Sequence, residues 1–346
     1  MQKSAEKILL EVSESIDRLI STDTLPPYLF RDSITPVYDA ARKLVGKPLS
    51  LAAAEELKKV CNKDSLVVIS AGFVVLPYLP HGETDGPIGA VALAKAINKA
   101  FGSKIVLLTE KACLDSFRAT CLGAGILPVS PEAAMEIPSS ITIREFPLDT
   151  QEANKEAKKI FEKLNPVAMI AVEKAGRNSK GVYHTSPGGD MSASVAKVDI
   201  LFDMLREDNR LTIGIGDHGN EIGLGSVIEA VRKIAYTADK CNCPCQGGVA
   251  TIVKAKIPFV AAISNWGASG IIACLAVLLN DFSLLHDEQT ERRMIEQCCL
   301  AGACDGTTVK PSFSVDGITI EGHMAMNRLL HDIIRSKTQI LPFIRK

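Results

Sequence analysis

LTIGIGDHGNEIGLG, residues 211–225, runs an apolar strand into a glycine-dense turn that carries Asp217, His218, Asn220 and Glu221. Gly214, Gly216 and Gly219 spell G-x-G-x-x-G ahead of the helix-spaced segment SVIEAVRKIAY, the outline of a dinucleotide fingerprint. The chemistry of the turn argues otherwise. A pyrophosphate site offers bare backbone N–H groups and a helix N-terminus to an anion, whereas Asp217 and Glu221 would repel one. No NAD is expected. Two carboxylates in one turn suit a cation, an ammonium group or proton transfer.

Outward from this stretch, short apolar β-branched runs recur at 65–76, 104–110, 168–173 and 259–265. They are near-continuous in hydrophobicity, as strands buried on both faces of a parallel sheet are. Helical patterns lie between them: IGAVALAKAINKAFG, ACLDSFRATCLGAG, SVIEAVRKIAY and ASGIIACLAVLLN. ITIREFP at 141–147 is a further candidate strand, and QEANKEAKKIFEKL at 151–164 an exposed amphipathic helix. The expected fold is α/β, a three-layer sandwich with a mainly parallel, doubly wound sheet. Residues 1–60 read as an N-terminal helical segment, broken at Leu25-Pro26-Pro27 and clearest at LSLAAAEELKKV, packed on a core of residues 61–346 in one structural unit.

The 346 residues are 47% hydrophobic and 23% charged, enough to bury a large core without disulfides or a metal. Net charge is -1, with no basic stripe to follow a phosphate backbone, so no nucleic acid is expected as a partner. No apolar run reaches the roughly 18 residues of a membrane span, and the N-terminus resembles neither a signal nor a transit peptide. Ten cysteines then point to a reducing, cytoplasmic setting and free thiols. Cys241, Cys243 and Cys245 form C-x-C-P-C, and Cys298, Cys299 and Cys304 a second group. Zinc sites usually use C-x(2–4)-C pairs, because a C-x-C pair chelates poorly unless it lies in a turn. Buried thiols are the favoured reading there.

Ligands of such sheets sit beyond the carboxyl ends of the strands. Four strand ends carry polar groups: His81, Glu83, Thr84 and Asp85; Glu173, Arg177, Lys180, Tyr183 and Asp190; Asp217 to Glu221; and Ser264, Asn265 and Trp266. Each has a plainer reading. Thr84 and Asp85 before Gly-Pro could form a helix N-cap, and Trp266 could cover the core. Convergence of all four on one cleft carries more weight than any one residue.

HGETDGPIGAVALAKA, AVEKAGRNSKGVYHTSPGGDMS, TIGIGDHGNEIGLG and ISNWGASGIIA, in this order, resemble the D-glutamate cyclase family, over most of residues 65–310. The family has glycine where this chain has His218, and often tyrosine where Ser269 stands. The resemblance implies a hydro-lyase that interconverts D-glutamate and 5-oxo-D-proline plus water. Lactam closure needs a base for the ammonium proton, withdrawal of charge from the γ-carboxylate and an acid for the departing oxygen. Asp217, Glu221, Glu83, Asp85 and Glu173 are the catalytic candidates. Arg177 is assigned to the α-carboxylate, Asn220 and Asn265 to the developing oxyanion, and Tyr183 and Thr84 to substrate binding. Asp85, Asp190, Asp217 and Glu221 could also supply hard oxygen ligands to Mg²⁺ or Mn²⁺; mechanisms with and without a cation both stay open. Two rivals remain: a Mg/Mn-dependent phosphohydrolase, which would want more basic residues, and a non-catalytic small-ligand-binding module. Apolar helices such as IIACLAVLLN leave room for a homo-oligomer.

Overall fold

Seven parallel strands form the sheet of the computed structural model, which describes residues 5–24, 30–135, 137 and 140–338. The strands are β1 (Leu66–Ala71), β2 (Lys104–Thr109), β3 (Leu127–Val129), β4 (Ser140–Glu145), β5 (Ala168–Val172), β6 (Leu211–Gly216) and β7 (Ile257–Val260). Their order across the sheet is β3-β4-β2-β1-β5-β6-β7, and every pairing is parallel. The chain therefore builds outward from β1 in one direction, returns, and builds outward in the other. The crevice beyond the carboxyl ends of β1 and β5 is the switch point at which open α/β sheets bind ligands.

The apolar runs have the expected cause. Val67, Ile69, Ala168, Ile170 and Val172 enter one core, while Val68, Met169 and Ala171 enter a second on the opposite face. Alternate side chains of one strand point to opposite faces, and both faces are covered, so no polar alternation survives. The larger core packs under α1 (Ala5–Ile20), α2 (Thr35–Val45), α3 (Leu49–Val60), α4 (Pro87–Phe101), α5 (Leu114–Ala124) and three later helices. The smaller core packs under α6 (Thr150–Lys159) and α7 (Asp199–Glu207). A short α8 (Ile228–Ile234) precedes the three later helices of the larger side: α9 (Ser264–Leu279), α10 (Glu288–Leu300) and α11 (Ile320–Thr338). A small hairpin, β8 (Ser314–Val315) with β9 (Ile318–Thr319), lies just before α11.

Helix α9 is the hub. Every residue from Ser264 to Ala276 is buried, and its glycines permit close approach on two sides. A Cβ on Gly267 would meet Ile215 of β6 at 2.6 Å, and one on Gly270 would meet Ile20 of α1 at 2.6 Å. The hydrophobicity of IIACLAVLLN is thus largely absorbed inside the molecule, which removes it as an argument for an oligomer. The N-terminal helices are pinned by a buried carboxylate: Asp17 of α1 accepts from the backbone N–H groups of Leu49 and Ser50 at the start of α3, and from the Tyr38 hydroxyl. The break expected at Leu25-Pro26-Pro27 lies outside the described residues. Among those residues, no helix is long and apolar enough to cross a membrane.

Three boundaries differ from the sequence reading. The run at 65–76 stays strand only to Ala71, because Gly72 turns at φ +106° and the apolar residues after it line a cavity instead of the sheet. The run at 259–265 is not one strand: β7 ends at Val260, and Ser264 and Asn265 already form the first turn of α9. Strand β3, three residues with a proline at the sheet edge, carries too little pattern to be noticed.

Candidate active site

The turn at 217–221 folds back over its own strand, and that requires its glycines. A Cβ on Gly214 would lie 2.1 Å from the Ile222 carbonyl oxygen, and one on Gly216 would lie 2.7 Å from the Glu221 side chain. Gly219, at φ +103°, faces Val231 of α8 at 2.2 Å from a Cβ position. The N–H groups that a pyrophosphate would want are already engaged: Glu221 accepts from Gly219 N at 2.7 Å and from His218 N at 3.3 Å. The G-x-G-x-x-G string here positions a carboxylate.

A second device joins two helices at the site. Asp85, fully buried, accepts from the backbone N–H groups of Ser264 (2.9 Å) and Asn265 (2.8 Å) at the start of α9, and from Gly86 at 3.0 Å. Asn265 returns the favour by accepting from Gly86 (2.9 Å) and Gly89 (2.7 Å) at the start of α4, while its amide donates to the Thr84 carbonyl. The caps of α4 and α9 are exchanged between the helices, and each leaves fewer orphan donors on the other. Gly89 makes this possible, since a Cβ there would sit 2.8 Å from the Asn265 backbone.

Around these two devices gather the carboxylates of Glu83, Asp85, Glu173, Asp217, Glu221 and Asp316. Burial, then the neighbouring charges, pushes Glu83, Glu173 and Asp316 well above the usual carboxylate range. Burial and the Asp217 charge likewise raise Asp85 and Glu221 to about 7. Glu173 stands at φ +44°, a left-handed conformation unusual for a non-glycine, with its carboxylate accepting from the Ser264 hydroxyl at 2.6 Å. Asp217 bonds the ring of His218 through one oxygen; its other oxygen is buried without a hydrogen-bond partner among the described residues. Burial works against a charge on His218, but Asp217, backed by Glu221 and Asp85, raises it to about 9. The imidazole is therefore the cation within the acidic group, and it packs on Phe30 with ring centroids 5.1 Å apart.

The cluster opens into a cavity of about 630 Å³. Glu83, Glu173, His218, Asn220 and Asp316 form its polar side, and Phe73, Val75, Leu76, Tyr78 and Leu79 its apolar side. Among the described residues that line it there is no lysine or arginine.

Several residues chosen from the sequence lie elsewhere. The guanidinium of Arg177 is forked between Asp199, at 2.7 Å, and Asp203, both on α7, so it does not face the cavity as a carboxylate clamp. Tyr183 donates to the same Asp199 at 2.7 Å. Thr84 is buried with its hydroxyl on the Ser314 carbonyl. Asn265 has its amide oxygen on two backbone N–H groups and its amide nitrogen on the Thr84 carbonyl, and it does not line the cavity where an oxyanion would form. Asp190 is exposed at the cavity mouth and belongs to neither group of oxygen ligands described below; its carboxylate accepts from Ser192 N.

One member of the cluster was missed. Asp316 occupies the tip of the β8–β9 hairpin with Gly317, both at positive φ. Asp-Gly between apolar residues is a hairpin signal, so the turn was legible. Its docking was not: Asp305 accepts from Thr307, Thr308 and Gly317 N–H groups and holds the hairpin, while Thr84 N donates to the Cys304 carbonyl and ties this segment to the first strand-end loop.

Two overlapping sets of ligand atoms lie within 4.8 Å of one another: Glu173, Asp217, His218 and Glu221; and Asp85, Asp217 and Asp316. Asp217, with its partnerless buried oxygen, belongs to both. The donors are hard oxygens, a set suited to Mg²⁺ or Mn²⁺, and His218 could join them only after losing its proton.

Comparison with known proteins identifies relatives of the chain. The chain is 30% identical over 222 residues to the human (Homo sapiens) protein named D-glutamate cyclase, mitochondrial; the match covers 61% of this chain and 33% of that protein, so the chain spans about a third of its relative's length. The family described as D-glutamate cyclase-like, C-terminal, matches residues 36–331, which take in the whole sheet, both capping helices and the Asp316 hairpin, and the chain belongs to that family.

Proposed function

We propose that the chain is a D-glutamate cyclase-like hydro-lyase that interconverts D-glutamate and 5-oxo-D-proline plus water in the cavity above β1, β5 and β6. One observation carries the reading: six carboxylates share a site with a single imidazole, and burial pushes two of them, Asp85 and Glu221, up to about 7. Groups with pKa values close to the working pH exchange protons most effectively in both directions.

Lactam closure joins the α-nitrogen to the γ-carboxyl carbon and breaks one carbon–oxygen bond. Two protons travel from the ammonium nitrogen to the departing oxygen, which leaves as water, and net charge is unchanged. Asp217 and Glu221, fully buried but within 4.8 Å of the cavity-lining Glu173 and His218, are assigned the protons that leave the ammonium. Glu83, Glu173 and Asp316, which burial shifts toward the neutral form, are assigned to donate hydrogen bonds to the γ-carboxylate and return a proton to the leaving oxygen. A neutral carboxylic acid can hold a substrate carboxylate where an ionised one would repel it, which answers the lack of lysine and arginine in the cavity. Asn220 faces the cavity with its amide donating to the His184 carbonyl. A divalent cation on Asp217 and its neighbours would neutralise part of the cluster and polarise the γ-carboxyl group. Asp85 acts mainly by fixing α4 and α9.

The same lining disfavours a phosphohydrolase, since it holds no lysine or arginine to meet a phosphate and its one imidazole, His218, is already paired with Asp217. The small-molecule substrate and a reducing cytoplasmic setting remain part of the proposal; all ten cysteines are free of disulfides. Incubation of the folded protein with D-glutamate, and separately with 5-oxo-D-proline, followed by chiral chromatography tests the reaction. Conversion with added Mg²⁺ or Mn²⁺, or without either, supports it. No conversion in either direction, with ligand still raising the melting temperature, leaves a binding module in its place.

A further inference from the structure

One wall of the cavity is formed by Thr185, Ser186, Pro187, Gly189, Asp190 and Asn242. Behind that wall, the C-N-C-P-C segment does not run as a strand. It turns, and the turn is closed by Gln246 at φ +51° and Gly248 at φ +75°. Gly248 is needed there, because a Cβ would lie 2.0 Å from the Ala238 carbonyl oxygen. The turn removes the objection to C-x-C chelation, since all three sulfurs now face inward together. Sγ of Cys241 lies 3.5 Å from that of Cys243 and 3.3 Å from that of Cys245. Nε2 of His184, more than fifty residues earlier, closes the group at 3.2 Å from Cys243 Sγ and 3.5 Å from Cys245 Sγ.

We propose that His184, Cys241, Cys243 and Cys245 form a structural zinc site that clamps the 183–190 loop to the 241–248 loop and so holds one wall of the active-site cavity. The four ligand atoms lie within 4.8 Å of one another, and all but Cys245 belong to buried residues. Zn–S bonds of about 2.3 Å and Zn–N bonds of about 2.0 Å, arranged tetrahedrally, place ligand atoms roughly 3.5–3.8 Å apart, close to the spacing seen. A second observation fits a metal-bound sulfur: Cys245 Sγ receives N–H groups from Gly247 at 3.4 Å and Asn178 at 3.5 Å, the kind of outer hydrogen bond that orients a ligating sulfur. Soft sulfur donors separate this site from the oxygen cluster across the cavity, which suits harder cations. Four protein ligands leave no open position, so the zinc is structural, not catalytic.

The clamp reaches the chemistry through two bonds. The His184 carbonyl accepts from Asn220 in the catalytic turn, and the Pro187 carbonyl accepts from Asn242 between the cysteines. The inference concerns metal content alone and stands or falls apart from the proposed reaction.

Elemental analysis of the whole chain, expressed with zinc available and freed of loose metal by gel filtration, should find about one zinc per chain. Replacement with Co²⁺ should give a sulfur-to-cobalt charge-transfer band, which the oxygen cluster cannot produce. Cys243→Ser should lower bound zinc at least several-fold and remove that band. Wild-type protein that retains no zinc after reconstitution and lacks the cobalt–sulfur band overturns the proposal, as does an intact mass showing a disulfide within the turn. Both readings use the unmodified chain, so a variant that fails to fold does not blur them.

Discussion

Two sets of buried charges lie within a few residues of each other and are built on opposite principles. Beside the cavity, Lys174 is fully buried and pairs with Glu110, which also accepts from Ala196 N; its ammonium donates to the Gly72 carbonyl as well. Arg177 is likewise matched to Asp199 and Asp203, and Tyr183 completes that network. At the cavity, Glu83, Glu173 and Asp316 on its lining and the fully buried Asp85, Asp217 and Glu221 beside them have His218 as the one cationic side chain of the cluster. The strand-end segment that begins at Glu173 supplies both sets: Glu173 turns to the cavity, while Lys174 and Arg177 turn away. Charges that hold the fold are neutralised by partners, and charges left without them are available to a substrate or a cation.

Breaking the paired set should damage the fold. Lys174→Met leaves Glu110 buried without its cation and should cost about 3–5 kcal/mol of stability, read as a lower urea midpoint; a midpoint equal to wild type would erase the distinction. Breaking the unpaired set should damage chemistry. Asp217→Asn should lower turnover by roughly 10²–10⁴-fold with a smaller fall in urea midpoint than Lys174→Met, because the lost His218 pair is offset by relief of repulsion with Asp85 and Glu221.

Titration sharpens the contrast further. A carboxyl at about 7 in the folded chain, against an ordinary 4.5, holds its proton more tightly when folded. Its contribution is complete below about pH 4.5 and is lost as the pH rises through 7, at up to about 1.4 kcal/mol per pH unit. Glu221→Gln should therefore match wild-type stability at pH 5 and exceed it at pH 8, as thermal unfolding at the two values would show. Equal differences at both would mean that Glu221 ionises as an ordinary glutamate. The smallest effect is expected at the rim: Asp190→Asn, exposed and outside both oxygen groups, should change kcat/KM by about twofold or less. A loss like that of Asp217→Asn would put Asp190 back among the catalytic groups.

The sheet was legible because burial on both faces writes continuous apolar runs into the sequence. The same signal misled where apolar residues serve a cavity, as at Phe73 to Leu76, and where a buried helix follows a strand, as at Ser264. At the site, the carboxylates of the strand ends could be found because topology gathers those ends. Arg177 could not be placed, since its orientation is decided by Asp199 and Asp203 on a helix with no recognised pattern. Asn265 looked like a donor for substrate, but its partners are the N–H groups of another helix, 176 residues earlier in the case of Gly89. Asp316 arrives on a hairpin whose docking depends on Asp305, a purely tertiary fact. The cysteine turn was discounted on strand geometry, which fails once Gly248 bends the chain.

Carboxyl infrared difference spectroscopy of the unliganded protein tests the uncompensated cluster most directly. Protonated-carboxyl absorption should persist at pH 7 without divalent cations and should weaken in Glu83→Gln and Glu173→Gln. A wild-type spectrum in which every carboxyl is ionised at pH 7, with no cation bound, would contradict it.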